Sequence, residues 1–215
     1  MKTKINLSDQ IEDNTVVDPK EEDLSKYYLS EKIIIINDFV DEDDLGILSD
    51  CQIKNIEWKS PREGDSVLRK IWYSDATEKP KTISNNPQFG KALRRLRKKL
   101  LNFTLNKFEL INPERAEYTK WRKQDGHKID ATIRLSEIKE EEIHVDQYEA
   151  DPLRIFVNID NTHRVWRTTT QKYGLEKAPK HEISFAPGTL WCCDTKKVIH
   201  QIMYGKRAVL FSFFF

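Results

Sequence analysis

The first half of this chain contains one short continuous run of hydrophobic residues and two segments in which hydrophobic residues recur at the spacing of a helix. This run, Ile33–Ile36, is flanked by polar residues and predicts a buried strand. The next helix is predicted to begin near Glu42, since Leu45 and Leu48 would lie on one face. The clearest helix is predicted over residues 87–103, where apolar side chains share one stripe: Phe89, Leu93, Leu96, Leu100 and Leu101.

The second half of the chain is dominated by short segments with a strand pattern. Residues 57–73, before it, are predicted to form a loop or hairpin around a Pro-Arg-Glu-Gly turn. Helices followed by about eight short strands predict a mainly β (α+β) fold, a jelly roll with the helices packed on one sheet. Strands are predicted at residues 108–110, 116–122, 130–135, 153–159, 198–202 and 207–215, with a turn that leads into a further strand at 185–191.

The composition narrows the classes of protein that this pattern allows. With 215 residues the chain is expected to form one domain, with a flexible acidic arm (1–25), a strand and helix region (26–103) and a β-rich core (104–215). A formal net charge of +1 argues against a nucleic-acid partner. Three cysteines without the spacing of a disulfide framework, and an N-terminus without a signal-peptide pattern, lead us to expect a cytoplasmic protein.

The candidate chemistry centres on His144-Val-Asp146 and the distant His200. Alternate residues of an extended strand point the same way, so His144 and Asp146 would present two metal ligands on one face. His200, on a predicted strand near the C-terminus, would complete a set of two histidines and one carboxylate. Such a facial triad leaves positions open on an octahedral metal and is typical of non-haem Fe(II) oxygenases. The alternative is a surface His-x-Asp pair with an unrelated core histidine.

Two arginines are candidates to hold an anionic co-substrate of such a site. Fe(II) with these ligands would keep one positive charge, which suits bidentate 2-oxoglutarate, with O2 as the second co-substrate. The distal carboxylate of 2-oxoglutarate would need a fixed cation, and arginine binds carboxylates through paired hydrogen bonds. Arg154 lies on the same predicted strand face as Phe156 and Asn158, whereas Arg207 opens the last strand. Asn158 is a candidate to bond the co-substrate or to orient a ligand.

Further basic residues suggest contacts with an acidic substrate. Arg164 and Arg167 flank Val165 and Trp166, and we expect them to project together on one strand face as a clamp at the mouth of the site. The helix at residues 87–103 also has a basic face. Such a face is either simply solvated or makes peripheral contact with an anionic membrane surface. Its cations are Lys91, Arg94, Arg95, Arg97, Lys98 and Lys99.

These residues resemble the Fe(II)/2-oxoglutarate-dependent dioxygenase superfamily over residues 104–215. Within it the chain is most similar to hydroxylases of Kdo (3-deoxy-D-manno-oct-2-ulosonic acid), a sugar acid of lipopolysaccharide. The similar stretches are residues 144–146, 153–159, 164–167 and 194–200 with the Gly205 turn. The resemblance implies a double-stranded β-helix core and hydroxylation of an organic substrate, at its most specific a lipid-anchored Kdo sugar. Arg207 matches the position that prolyl-hydroxylase-like members use for 2-oxoglutarate.

Two other functions remain open on the sequence alone. One is a 2-oxoglutarate hydroxylase acting on a protein, another small molecule or a nucleobase. The other is a cupin-like jelly roll that binds a sugar or a metal without turnover. Convergence of the three predicted ligands beside an inward-facing arginine would favour an enzyme, whereas ligands that face different cavities would favour a binding module.

Overall fold

Ten strands and three helices make up the described part of the chain. A computed structural model describes residues 15–16, 23–29, 32–50, 68–73, 86–108, 130–136, 143–146, 153–169, 181–205 and 207–213. The helices are α1 (Ser25–Leu29), α2 (Glu42–Asp50) and α3 (Pro87–Lys107). The strands are β1 (Thr15–Val16), β2 (Ile33–Ile36), β3 (Leu68–Tyr73), β4 (Asp130–Ser136), β5 (Leu153–Asn158), β6 (Arg164–Thr169), β7 (His181–Phe185), β8 (Leu190–Cys192), β9 (Ile199–Tyr204) and β10 (Arg207–Phe213).

The strands form two sheets. The larger has the order β1-β2-β8-β5-β10-β4-β3 and the smaller the order β7-β6-β9. Neighbours are antiparallel except β1 and β2. Residues 143–146 extend the smaller sheet, because the backbones of His144 and His200 exchange hydrogen bonds of 3.0 and 2.8 Å. From β4 to β10 the chain passes repeatedly between the two sheets, which is the interleaved order of a double-stranded β-helix. The predicted jelly roll is confirmed.

Strands β2, β5, β8 and β10 of the larger sheet bury side chains on both of their faces. The outer face of this sheet packs on the helices, where Leu153, Ile155 and Val157 of β5 join the apolar stripe of α3 in one core. Its inner face meets the smaller sheet in a second core, which includes Phe156 of β5. The alternation predicted for this strand is therefore correct, since successive side chains of a strand point to opposite faces. The inner core defines the interior of the barrel, in which the candidate site lies.

Helix α3 starts where the sequence predicts and ends later. Asn86 caps its first turn by accepting a 2.9 Å bond from the Gln88 amide, and Pro87 occupies the first turn, where proline is tolerated. The helix passes the predicted end at residue 103 and continues to Lys107, with the buried Thr104 hydroxyl bonded to the Leu100 carbonyl at 2.7 Å. None of the described helices is both long and apolar enough to cross a membrane.

The basic face of α3 points away from the barrel. Since the apolar stripe of the helix packs on the outer face of the larger sheet, the opposite, cationic side lies away from the barrel interior. Arg95 and Lys99 bond the carboxylates of Asp44 and Asp41 at the start of α2. Part of the basic face thus holds two helices together. The predicted strand at 116–122, and residues 57–67 of the predicted hairpin, lie outside the described residues.

Replacing Gly205 by alanine is expected to destabilise the fold by about 2 kcal/mol or more. The glycine has φ 134°, a region disfavoured for other residues, and a Cβ there would lie 2.6 Å from Cγ of Arg164. The matched control is Gly46→Ala, at an exposed site in α2 where a Cβ meets nothing within 4 Å. That change should stabilise the helix by about 0.5–1 kcal/mol. Denaturant unfolding of both variants measures the difference, and equal effects would contradict it.

Candidate metal centre

The three side chains predicted as metal ligands converge at one point on the smaller sheet. His144 and His200 lie opposite each other on neighbouring strands, and their ring centres are 4.7 Å apart. Asp146 is held beside them because its amide donates to the Thr195 carbonyl at 2.8 Å. Its Oδ1 lies 3.7 Å from Nε2 of His144, and its Oδ2 lies 3.9 Å from Nε2 of His200. One ligand atom from each residue lies within 4.8 Å of the others.

The ring of His200 is fixed in the orientation that a metal ligand needs. Its Nδ1 lies 2.9 Å from the Val198 carbonyl, which can only accept, so Nδ1 is the donor in this contact and Nε2 is the nitrogen that faces Asp146. The indole of Trp166 stacks on the imidazole, with centres 4.8 Å apart and planes 19° apart. The His200 side chain is almost fully buried. This arrangement selects the tautomer and limits rotation of the ring.

Asp146 is paired with an arginine of the inner strand face. Nη1 of Arg154 donates to Oδ2 of Asp146 at 2.6 Å, a short charge-assisted hydrogen bond. The two side chains are only 12% and 19% exposed, so solvent screens the pair weakly. The orientation predicted for Arg154, toward the barrel interior, agrees with the structure. Its guanidinium lies directly beside the candidate metal site.

Asn158 does not contact the triad. Both hydrogens of its amide are used, by the carbonyls of Thr162 at 2.9 Å and Phe185 at 3.1 Å, while its oxygen accepts from the amide of Asp160. The side chain therefore organises the turn between β5 and β6 and joins it to the end of β7. This corrects the expectation that Asn158 binds the co-substrate or orients a ligand, because its hydrogen-bonding groups are already occupied by backbone partners.

Arg207 lies on the outer face of the larger sheet. Its Nη1 donates to the carbonyls of Leu48 at 3.3 Å and Ser49 at 2.5 Å, in the last turn of α2. Along β10, Val209 and Phe211 share this face and belong to the outer core, whereas Ala208 and Leu210 belong to the inner core. The two-residue period of the strand thus directs Arg207 away from the barrel interior, which corrects the expectation that it could hold the co-substrate.

Arg164 and Arg167 do not project together. Arg164 is 1% exposed and donates to the Gly205 carbonyl at 3.3 Å. Arg167 is paired with Glu182 at 3.0 Å on the outer side of the smaller sheet. Residues three apart in a strand point to opposite faces, so the clamp predicted from the sequence is not formed. The sequence held a signal for the true position of Arg164, since it has the same parity as the inward-facing Trp166.

An aromatic cluster lies in the inner core and contacts the His200 imidazole through Trp166. Phe156 stacks on Trp191 at 5.3 Å, and Phe185 stacks on the same indole at 4.2 Å. Trp166 contacts all three of these rings edge-on. Among the described residues, the buried indole N–H groups of Trp166 and Trp191 have no hydrogen-bond partner. Two unsatisfied donors in an apolar interior are costly, and an oxygen-rich ligand would satisfy them.

The adjacent cysteines Cys192 and Cys193 are packing residues. Cys192 belongs to the outer core and Cys193 to the inner core, because neighbouring residues of a strand face opposite ways. Burial raises the pKa of both thiols well above the ordinary value, so they stay protonated at neutral pH and are poor nucleophiles.

Comparison with known proteins places the fold. No protein-family model and no curated protein sequence matches this chain. One similar structure is the Kdo hydroxylase KdoO, a non-heme Fe(II) α-ketoglutarate-dependent dioxygenase, in complex with cobalt(II). The TM-score is 0.53 and the sequence identity is 12%, and the match covers 93% of this chain and 88% of KdoO. The KdoO complex with succinate and Fe(III) matches with a TM-score of 0.51 and 13% sequence identity, and the match covers 93% of this chain and 87% of that chain. A Pseudomonas putida prolyl-4-hydroxylase matches with a TM-score of 0.48 and 12% sequence identity, and the match covers 85% of this chain and 91% of that chain. The chain therefore has the double-stranded β-helix fold of the KdoO dioxygenase.

Proposed function

We propose that this protein is an Fe(II)- and 2-oxoglutarate-dependent oxygenase that hydroxylates an organic substrate. The observation that supports this best is the convergence of His144, Asp146 and His200 inside a double-stranded β-helix. Two imidazoles and one carboxylate suit Fe(II), and three ligands leave three octahedral positions open for a bidentate co-substrate and O2. With iron and 2-oxoglutarate bound, such a centre supplies oxidative decarboxylation of the co-substrate and insertion of oxygen into a carbon–hydrogen bond.

The electrostatics of the site support an anionic co-substrate. Asp146 and Arg154 form a neutral pair at 2.6 Å, so their charges cancel. Fe(II) bound to this pair and to two neutral histidines would keep two positive charges, which a 2-oxoglutarate dianion would balance. Burial strengthens this preference, because His200 is almost fully shielded from water and charge interactions are stronger at low dielectric.

We propose Arg164 as the cation that holds the distal carboxylate of 2-oxoglutarate. Arg164 is buried, and on β6 it lies opposite Phe185 and shares a strand face with Trp166, both of which belong to the inner core. Arg207, which the resemblance suggested for this role, is bonded to α2 on the opposite face of the sheet. Arg154 is the other inward-facing candidate, but its contact with Asp146 places it at the metal end of the site. The indole N–H groups of Trp166 and Trp191 would donate to the same ligand.

The finer proposal for the substrate is a Kdo-type sugar acid. Its support is the similarity of fold to KdoO at 12–13% identity, together with the sequence stretches that resemble Kdo hydroxylases. Neither an Arg164–Arg167 clamp nor membrane contact through α3 is part of this proposal, because Arg167 and the basic helix face lie outside the barrel.

The proposed substrate is tested by measuring succinate release from 2-oxoglutarate, in the presence of Fe(II), with each member of a panel of acceptors. The panel contains Kdo-lipid A, free Kdo, peptides, other small molecules and nucleobases. We expect Kdo acceptors to raise succinate release above the rate without acceptor, and the product to be heavier by one oxygen atom in mass spectrometry. If another class of acceptor raises succinate release instead, the proposed Kdo substrate is wrong, whereas the proposed oxygenase activity stands.

A further inference from the structure

We infer that Asp194 is a positioning residue that fixes the backbone turn on which two of the proposed metal ligands depend, an inference that rests on the proposed metal centre. The turn joins β8 of the larger sheet to β9 of the smaller sheet. Its Thr195 carbonyl accepts a 2.8 Å bond from the Asp146 amide. Its Val198 carbonyl accepts a 2.9 Å bond from Nδ1 of His200. The directions of these two carbonyls therefore influence where both ligands lie.

Asp194 closes this turn with its carbonyl and with its carboxylate. The carbonyl accepts bonds from the amides of Lys197 at 3.0 Å and Val198 at 2.8 Å. Oδ1 accepts from the Lys196 amide at 3.1 Å, the local bond by which aspartate and asparagine stabilise turns. The side chain is only 15% exposed, so water competes weakly for this bond. The conformation of the turn thus depends on the carboxylate as well as on the backbone.

The turn also bears on the third ligand. Val198 immediately precedes β9, and the backbones of His200 on this strand and His144 exchange hydrogen bonds of 3.0 and 2.8 Å. A change in the turn would therefore shift His200 relative to both of its partners in the triad. Asp194 is not one of the three residues whose ligand atoms converge, so it acts on the metal through the turn.

The competing role for Asp194 is attraction of the metal ion by its negative charge alone, and two substitutions separate the roles. Asp194→Asn removes the charge but keeps an oxygen that can accept from the Lys196 amide. Asp194→Glu keeps the charge but places the carboxylate one methylene farther from the backbone, which is the wrong length for the turn. A positioning role requires the oxygen in its place, whereas a charge role requires only the charge.

The experiment is equilibrium dialysis with Co(II), an air-stable probe, together with the visible ligand-field spectrum of the bound ion. In Asp194→Ala we expect the Kd for Co(II) to rise about 10-fold, the lower end of the 10- to 100-fold usual when a group that orients a metal ligand is lost. The spectrum should change with it. Asp194→Glu should behave like the alanine variant, and Asp194→Asn should keep the wild-type affinity and spectrum.

The matched control is Lys197→Met. This change removes the ion pair between Nζ of Lys197 and Oδ2 of Asp194, at 3.2 Å, and leaves the backbone and the carboxylate in place. Lys197 is 43% exposed, and such pairs contribute little. Both the Co(II) affinity and the spectrum should therefore equal those of the wild type. Thermal unfolding checks that each variant folds, and if Asp194→Ala does not, the comparison of asparagine with glutamate decides alone.

Wild-type binding in Asp194→Glu with weakened binding in Asp194→Asn would overturn the inference and assign Asp194 a charge role. Wild-type affinity and spectrum in both the alanine and the glutamate variants would also overturn it, and would restrict Asp194 to the stability of the fold. A wild-type protein that binds no Co(II), or binds it as well after Asp146→Ala, would reject the proposed metal centre itself. That outcome is distinct because it appears without any change at Asp194.

Discussion

Replacing Asp146 by alanine is expected to lower the affinity for Fe(II) or Co(II) by more than about 100-fold and to abolish turnover of 2-oxoglutarate. Removing the partner of a metal ligand costs about 10- to 100-fold, and removal of the ligand itself should cost more. The change also leaves Arg154, 12% exposed, without the carboxylate that neutralises it. Equilibrium dialysis gives the affinity and the metal content per chain, which should be one ion in the wild type.

The matched control for this change is Asp41→Ala. Asp41 is an exposed carboxylate that pairs with Lys99 of α3 at 2.7 Å, on the outer side of the protein. Its loss should leave metal binding unchanged, because surface ion pairs contribute little and this one is remote from the triad. His200→Ala should behave like Asp146→Ala. Wild-type metal affinity in both triad variants would show that the three side chains do not form the metal centre.

Replacing Arg164 by methionine is expected to raise the 2-oxoglutarate concentration required for half-maximal turnover by about 10- to 100-fold. A hydrogen bond to a charged group contributes about 1.5–3 kcal/mol, which corresponds to a factor of this size. Fe(II) affinity should change much less, since the proposed metal ligands are His144, Asp146 and His200, and Nη1 of Arg164 donates to the Gly205 carbonyl. Steady-state kinetics with varied 2-oxoglutarate and varied Fe(II) separate the two effects.

Arg164 is fully buried and packs on Gly205, so the methionine variant must be shown to fold by thermal unfolding. Arg164→Lys keeps the charge in nearly the same volume and serves as a second variant. Arg207→Lys tests the alternative anchor and should leave the 2-oxoglutarate requirement unchanged, because Arg207 bonds the carbonyls of α2. An increased requirement in Arg207→Lys with none in either Arg164 variant would reverse the assignment.

Patterns with a fixed local period were sufficient to predict much of the fold. The two faces of β5, the stripe of α3 and the His-x-Asp pair each follow from the direction of successive side chains along one element. The same rule, applied to Arg164 and Arg167, would have separated them, because residues three apart in a strand face opposite ways.

Other features depended on partners far away in sequence. The outward face of Arg207 follows from the period of β10, but its bonds to Leu48 and Ser49 depend on how α2 packs, and Asn158 is occupied because Phe185 lies beside it. Neither contact has a local signature in the chain. The bond from Arg154 to Asp146 is of the same kind: the sequence indicated which way the arginine points, but only the packing of the two sheets shows which carboxylate it meets.

Formation of succinate from 2-oxoglutarate by the purified protein tests the central claim most directly. The wild-type chain, supplied with Fe(II), O2 and 2-oxoglutarate, is predicted to form succinate and CO2 in equal amounts, at least slowly without an acceptor. The activity should be lost when Fe(II) is chelated and in the Asp146→Ala variant. Fe(II) binding at the triad without any succinate above that of the Asp146→Ala protein, across the acceptor panel, would contradict the account and indicate a metal-binding jelly roll without turnover.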